Sequence, residues 1–169
     1  MDNTGISNVK RGVSIAADNA SVVINSSEIV ARYYGVTVGA SGVELSVNGG
    51  TVQGWAAIMF TANDWTVDRI KSNKGAVVNA QGAELVGRSI SDEGYGIVVV
   101  QQDYNGAELT FTDCTMLTTV EDGKTGAWQG GIVVRSYGNK ISVSGGYIES
   151  SNITERNLMG MDLVSLYNT

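Results

Sequence analysis

Apolar and polar residues alternate along this chain in short runs, and glycine, serine or asparagine ends almost every run. The segment YYGVTVGASGVELSVNGGTVQG, from Tyr33 to Gly54, shows the pattern in full. Alternation places every second side chain on one face, which is the signature of a half-buried strand. No segment keeps a 3.6-residue helical period for more than about one turn. The pattern therefore predicts an all-β chain built from many short strands.

The runs also repeat. Gly35 to Leu45 reads GVTVGASGVEL and Gly75 to Leu85 reads GAVVNAQGAEL. Gly12 to Ile24 (GVSIAADNASVVI), Gly96 to Leu109 (GIVVVQQDYNGAEL), Gly131 to Val143 (GIVVRSYGNKISV) and Gly160 to Leu163 (GMDL) begin alike. Ala57 to Phe60 (AIMF) keeps the apolar pattern without the glycine. A second block, apolar at both ends around small or polar residues, recurs as INSSEI from Ile24, VNGGTV from Val47, FTDCTM from Phe111 and VSGGYI from Val143, with a shortened form LVGRSI from Leu85. A period of about 22 residues holding two or three strands marks a coil that buries its apolar face only by stacking on its neighbours. The starts predict a single parallel β-solenoid domain over residues 1–169 with seven rungs. At about 4.8 Å per rung it would be roughly 30–35 Å long.

Aligning the starts predicts which residues share a face. Val13, Val36, Ile58, Ala76, Ile97, Ile132 and Met161 form one inward column. Ile15, Val38, Phe60, Val78, Val99, Val134 and Leu163 form another. The position between them runs Ser14, Thr37, Met59, Val77, Val98, Val133, Asp162 and points outward. Its apolar character in the middle rungs implies that something covers that face. A leucine-rich repeat is the wrong reading because LxxLxLxxN is absent. An antiparallel sandwich would lack a common start motif and would join its strands by two-residue hairpins.

The phrasing GVxVxx…GVELxVxGGTV resembles the right-handed parallel β-helix, or pectin-lyase-like, superfamily, over Gly12 to about Leu163. Within it the texture is most similar to autotransporter passenger domains and bacterial surface adhesins. The resemblance implies a right-handed, single-stranded coil. It also implies a non-catalytic segment of a bacterial surface or secreted protein, a scaffold or adhesin meeting a surface glycan or a host protein. The alternative it implies is a polysaccharide-active enzyme, a lyase or glycoside hydrolase, or part of one. Such coils host many functions, so fold alone does not choose between them. The expected location is extracellular or at the cell surface, with any signal segment outside this chain. The chain is read as a piece of a longer coil whose open strand edges favour end-to-end self-association.

Composition narrows the chemistry. The chain holds 22 Gly, no Pro and no His. Without histidine, Ser-His-Asp and Cys-His catalysis are ruled out, together with the commonest zinc ligand. Cys114 is the sole cysteine, so no intrachain disulfide and no CxxC metal site can form. It falls at the turn position held elsewhere by Ser27, Gly50 and Gly146, which reads as a buried small residue. A net charge of −6 with no basic run argues against nucleic-acid binding and against docking on anionic lipid. No apolar run reaches the length of a membrane span.

Three features carry candidate function. Two repeat spacings are long, which predicts inserted loops at 118–130 and 149–160. Aromatic residues precede several repeat starts: Tyr33 and Tyr34, Trp55, Tyr95 and Trp128. In register they would form one column, either stacked on itself beneath a loop or contacting glycan; the glycan candidates are Tyr34, Trp55, Tyr95 and Trp128. A pyranose offers a flat C–H face to an aromatic ring. Finally, Asp92 and Glu93 lie beside one start, and Glu121 and Asp122 in a long loop. Turn chemistry alone favours acidic residues there. Were the chain an enzyme, Asp92 and Glu93 would be its acid and base, and Ca²⁺ is the cofactor such carboxylates could hold.

Overall fold

The computed structural model describes residues 1–61, 73–92, 94–102, 104–126, 128–135, 138–150 and 158–163. Among them there is no helix, and hence none long and apolar enough to cross a membrane. In chain order the strands are β1 (Gly5–Ile15), β2 (Ser21–Val38), β3 (Glu44–Gly54), β4 (Ala56–Phe60), β5 (Asn73–Lys74), β6 (Val77–Gln81), β7 (Glu84–Ser89) and β8 (Tyr95–Gln102). They continue as β9 (Tyr104–Asn105), β10 (Glu108–Thr112), β11 (Thr115–Val120), β12 (Trp128–Arg135), β13 (Lys140–Ser144), β14 (Tyr147–Ser150) and β15 (Leu158–Leu163). Every strand pair is parallel, and the sheet curls through about 284°. A curled, all-parallel sheet is compatible with a β-solenoid.

The ladders divide into three stacks. The first joins the start of β2, the start of β3, β6, β10 and β13. The second joins the start of β1, the middle of β2, the end of β3, β7, β11 and β14. The third joins the ends of β1 and β2 to β4, β8, β12 and β15. Inward columns run through each. Val22, Leu45, Val78, Leu109 and Ile141 line the first stack. Ile29, Val52, Leu85, Met116 and Ile148 line the second, and Val13, Val36, Ile58, Val99 and Ile132 the third. Most are fully buried in one continuous core; full burial of such a side chain contributes about 1.5–3 kcal/mol.

The register corrects the sequence alignment in three places. Gly75 does not open a strand of the third stack: Val78 pairs with Leu45 and Leu109 in the first. The third stack therefore holds six strand segments among the described residues, not seven. Within β8, Val99 rather than Ile97 aligns with Ile58 and Ile132. Alternation breaks at this point, where the ladder skips Ala57, Val98 and Gly131: Val98, expected outward, enters the core with Val99, and Ile97, expected inward, joins an outer apolar cluster. The shortened block LVGRSI is likewise replaced by Ala80 to Leu85, whose ends pair with Val47 and Val52. The four full blocks do align, with Ser27 opposite Gly50 and Met116 opposite Ile148.

The turns explain the glycine, asparagine and serine content. Ser26, Gly49, Gly82, Asp113 and Gly145 all have positive φ and stack at the corner between the first two stacks. Asn19, Gly42, Gly75, Gly106 and Gly138 do the same between the third and first. The left-handed region is open to glycine and to short polar side chains. Beside the first of these corners Asn48 Nδ2 donates to Asn25 Oδ1 (2.8 Å), and Asn25 Nδ2 to Asp2 Oδ1 (2.6 Å). A different demand acts where the second and third stacks meet. A Cβ on Gly87 would lie 2.6 Å from both the N and the O of Ile97, and one on Gly54 2.6 Å from Ala56 O. These glycines permit backbone to meet backbone.

Two departures from an apolar interior stand out. Gln101 occupies the inward column of Val38, Phe60 and Val134 and is fully buried. Its Nε2 donates to Tyr104 O and Asn139 Oδ1, each at 2.6 Å, while Ala107 N also donates to Asn139 Oδ1 at 2.9 Å. Tyr104, packed edge-on to Phe60, donates its hydroxyl to Ala40 O at 2.7 Å. Burial, helped by the charge of Asp18, pushes the Tyr104 hydroxyl up to about 12. The second departure is outside the coil. Thr37, Met59, Val100 and Val133 form the outward column of the third stack and are all buried. Met59, Val100 and Val133 join Ala56 and Ile97 in a separate apolar cluster. The expectation that this face is covered thus holds, with Val100 in place of Val98.

Candidate functional site: an aromatic and cationic corner

The chain passes from the second stack to the third at Ala31–Tyr34, at Gly54–Ala56 and between β7 and β8. Parallel register brings these turns one above another, so residues far apart in sequence share one corner. Tyr34 and Trp55 meet edge to face with ring centroids 5.7 Å apart, and Trp55 and Tyr95 likewise at 5.6 Å. Tyr33 extends the row, 6.5 Å from Tyr34. The inner rings are half-buried and pack on the outer apolar cluster. The outer rings stay open, Tyr33 at 39% and Tyr95 at 44% exposure. Trp128 pairs through its backbone with Tyr95, which continues the row's register; its side chain is outside the described residues.

Cations attend the row. The Arg11 guanidinium lies 5.7 Å from the Tyr34 ring centre and that of Arg32 lies 5.9 Å from the Tyr33 ring centre. Burial raises the Tyr34 hydroxyl above its ordinary value, with Arg11 opposing and Tyr33 adding to the effect. A shallow depression of about 320 Å³ is lined by Arg32, Tyr33, Tyr34, Trp55, Ile90 and Ser91. A larger one of about 480 Å³ adjoins it, sharing Arg32 and Ile90 and reaching Lys10, Gln53, Arg88 and Glu121. Arg88 pairs with Glu121 at 3.8 Å.

These basic residues do not stand out in the sequence because they lie on three strands, β1, β2 and β7, that only the register brings together. The signal was there: Arg11 and Tyr34 are register partners, as are Val9 and Ala31 just before Lys10 and Arg32. The edge-to-face geometry also qualifies the aromatic expectation. The rings contact one another, as in the self-stacked alternative, and do not form a coplanar platform.

The acidic candidates are placed differently. Asp92 is exposed, and its Oδ1 accepts from Thr125 N at 3.1 Å while Lys124 lies 3.8 Å from Oδ2. These contacts tie Asp92 and the chain beside it to the 121–126 loop. Glu93 lies outside the described residues. Glu121 faces Arg88. Among the described residues no three His, Cys, Asp or Glu side chains gather as a metal site. The predicted loop at 118–130 is shorter than expected, because β11 runs to Val120 and β12 starts at Trp128. Thr118 Oγ1 and Gln129 Oε1 are hydrogen-bonded at 2.9 Å across its base. Of the loop at 149–160, residues 151–157 lie outside the described residues. Cys114 is buried, as its turn position required.

Set against family models, curated proteins and solved structures, the chain matches none. What fold and corner define together is a curled, all-parallel β protein carrying an aromatic row flanked by arginines.

Proposed function

We propose that this chain is a section of a right-handed parallel β-helix that serves as a non-catalytic, extracellular or cell-surface scaffold and holds a glycan at its aromatic corner. Right-handedness follows from the strong preference of crossovers between parallel strands. The observation that carries the glycan reading is the row Tyr33–Tyr34–Trp55–Tyr95, rigidly spaced by the strand ladders and open at both ends. A sugar C–H face on an exposed tyrosine, with polar groups beside it for hydroxyls, is a recurrent mode of carbohydrate contact. Support for a scaffold rather than an enzyme comes from Asp92 and Glu121, whose carboxylates hold loops and pair with cations.

The test is a glycan array followed by titration of the best ligand against Tyr33→Ala and Tyr95→Ala. These rings are the exposed ones, so their removal spares the packed core. Each is expected to weaken binding by about 1 kcal/mol, roughly fivefold. Wild-type affinity in both variants would remove the aromatic row from the site.

A further inference from the structure

Four of the chain's 11 basic residues, Lys10, Arg11, Arg32 and Arg88, stand on this one corner of a molecule whose net charge is −6. Among the described residues one acid, Glu121, lines the larger depression, and it is paired with Arg88. We propose that the depression binds a sulfated saccharide, its sugar rings against the tyrosines and its sulfates along Lys10, Arg32 and Arg88. This rests on the glycan reading of the aromatic corner and adds the charge class of the ligand.

Three observations support it. The two depressions share Arg32 and Ile90 in their linings, so a ligand chain laid across both would meet rings and cations together. The guanidiniums are oriented before any ligand arrives: Arg32 over Tyr33, Arg11 over Tyr34 and Arg88 against Glu121. Oriented groups lose less freedom on binding, and arginine donates to oxyanions through two parallel N–H bonds. The cations are also spread over β1, β2 and β7, so a single carboxylate would satisfy one of them and leave the others. A saccharide sulfated on successive residues offers fixed, non-titrating charge at each step.

Surface plasmon resonance decides it with four probes of matched length: a heparin-derived octasaccharide, its desulfated form, an oligogalacturonate and oligo-dT. The sulfated probe should bind best, and binding should weaken steeply with salt as exposed charges are screened. The double variant K10Q/R32Q and the single variant R88Q should each lose about tenfold or more. Lys140→Gln, whose lysine faces Glu108 on the first stack, should lose nothing. Equal binding of sulfated and desulfated probes, or wild-type affinity in K10Q/R32Q, overturns the charge assignment. If Tyr33→Ala still weakens binding in that case, the glycan reading survives without it. Tighter binding of oligogalacturonate or oligo-dT overturns the sulfate. Binding of no saccharide overturns both proposals together.

Discussion

Two kinds of glycine act in this fold, and substituting alanine separates them. At Gly87 φ is ordinary, but a Cβ would press on the backbone of Ile97, with N and O at 2.6 Å. Real Cβ atoms do not approach backbone so closely, and the Ile97 main chain is tied into the β8 ladder with Ala56 and Gly130. The strain must push the second and third stacks apart, so Gly87→Ala should cost about 3 kcal/mol or more, the upper end for overpacking. At Gly82 φ is +59° with nothing within 4 Å, so alanine meets only the left-handed backbone penalty of about 1–2 kcal/mol. At Gly5 there is neither contact nor positive φ, and alanine should be neutral or slightly stabilising, by a few tenths of a kcal/mol. Equilibrium urea unfolding at 25 °C, followed by far-UV circular dichroism, ranks the three. A total stability of about 5–15 kcal/mol leaves the largest effect measurable. Should Gly87→Ala fall within 1 kcal/mol of wild type, or Gly82→Ala cost as much, the backbone-contact account of the place where the second and third stacks meet is wrong.

Further predictions concern buried polar groups. Tyr104 holds its proton more tightly in the folded state, about 12 against an ordinary 10.0, so stability is full below about pH 10 and falls as pH climbs towards 12. Tyr34, shifted the same way, adds to that alkaline loss, and Tyr104→Phe should flatten the pH dependence of the urea midpoint. Gln101→Leu should destabilise by about 1–3 kcal/mol, because Tyr104 O and Asn139 Oδ1 lose a buried donor; an unchanged midpoint would contradict the network. Cys114, 3% exposed, should resist thiol reagents until the chain unfolds, and Cys114→Ser, which copies Ser27, should cost less than about 1.5 kcal/mol.

How far the sequence could be read depended on what each signal encodes. Face assignment was legible for Val36, Ile58 and Ile132, which are inward as alternation required, but not at Ile97 and Val98, where a break in the alternation exchanges the expected faces. So was the aromatic row, because Tyr34, Trp55 and Tyr95 sit at equivalent turns. Register was not: β6 and the strands of the third stack share one apolar phrase, and hydrogen-bonding backbone carries no side-chain label to tell them apart. The change in spacing hid it further. Partners on neighbouring strands are 23 residues apart at Asn25 and Asn48, 33 at Thr51 and Glu84, and 32 at Glu108 and Lys140. The cationic corner was invisible for the same reason, since its charges converge only once register is known.

The parallel register also has an evolutionary reading. Each strand is hydrogen-bonded to strands one repeat away, and Asn25 and Asn48 hold the same place in successive turns. Residues 26–48 thus form a unit that begins and ends at structurally identical points. Copying such a unit, or losing it, joins like to like and breaks no ladder elsewhere. The length of this protein is free to change in steps of a whole turn, and lineages that gain or lose turns would shift where the corner sits without redesigning the coil around it.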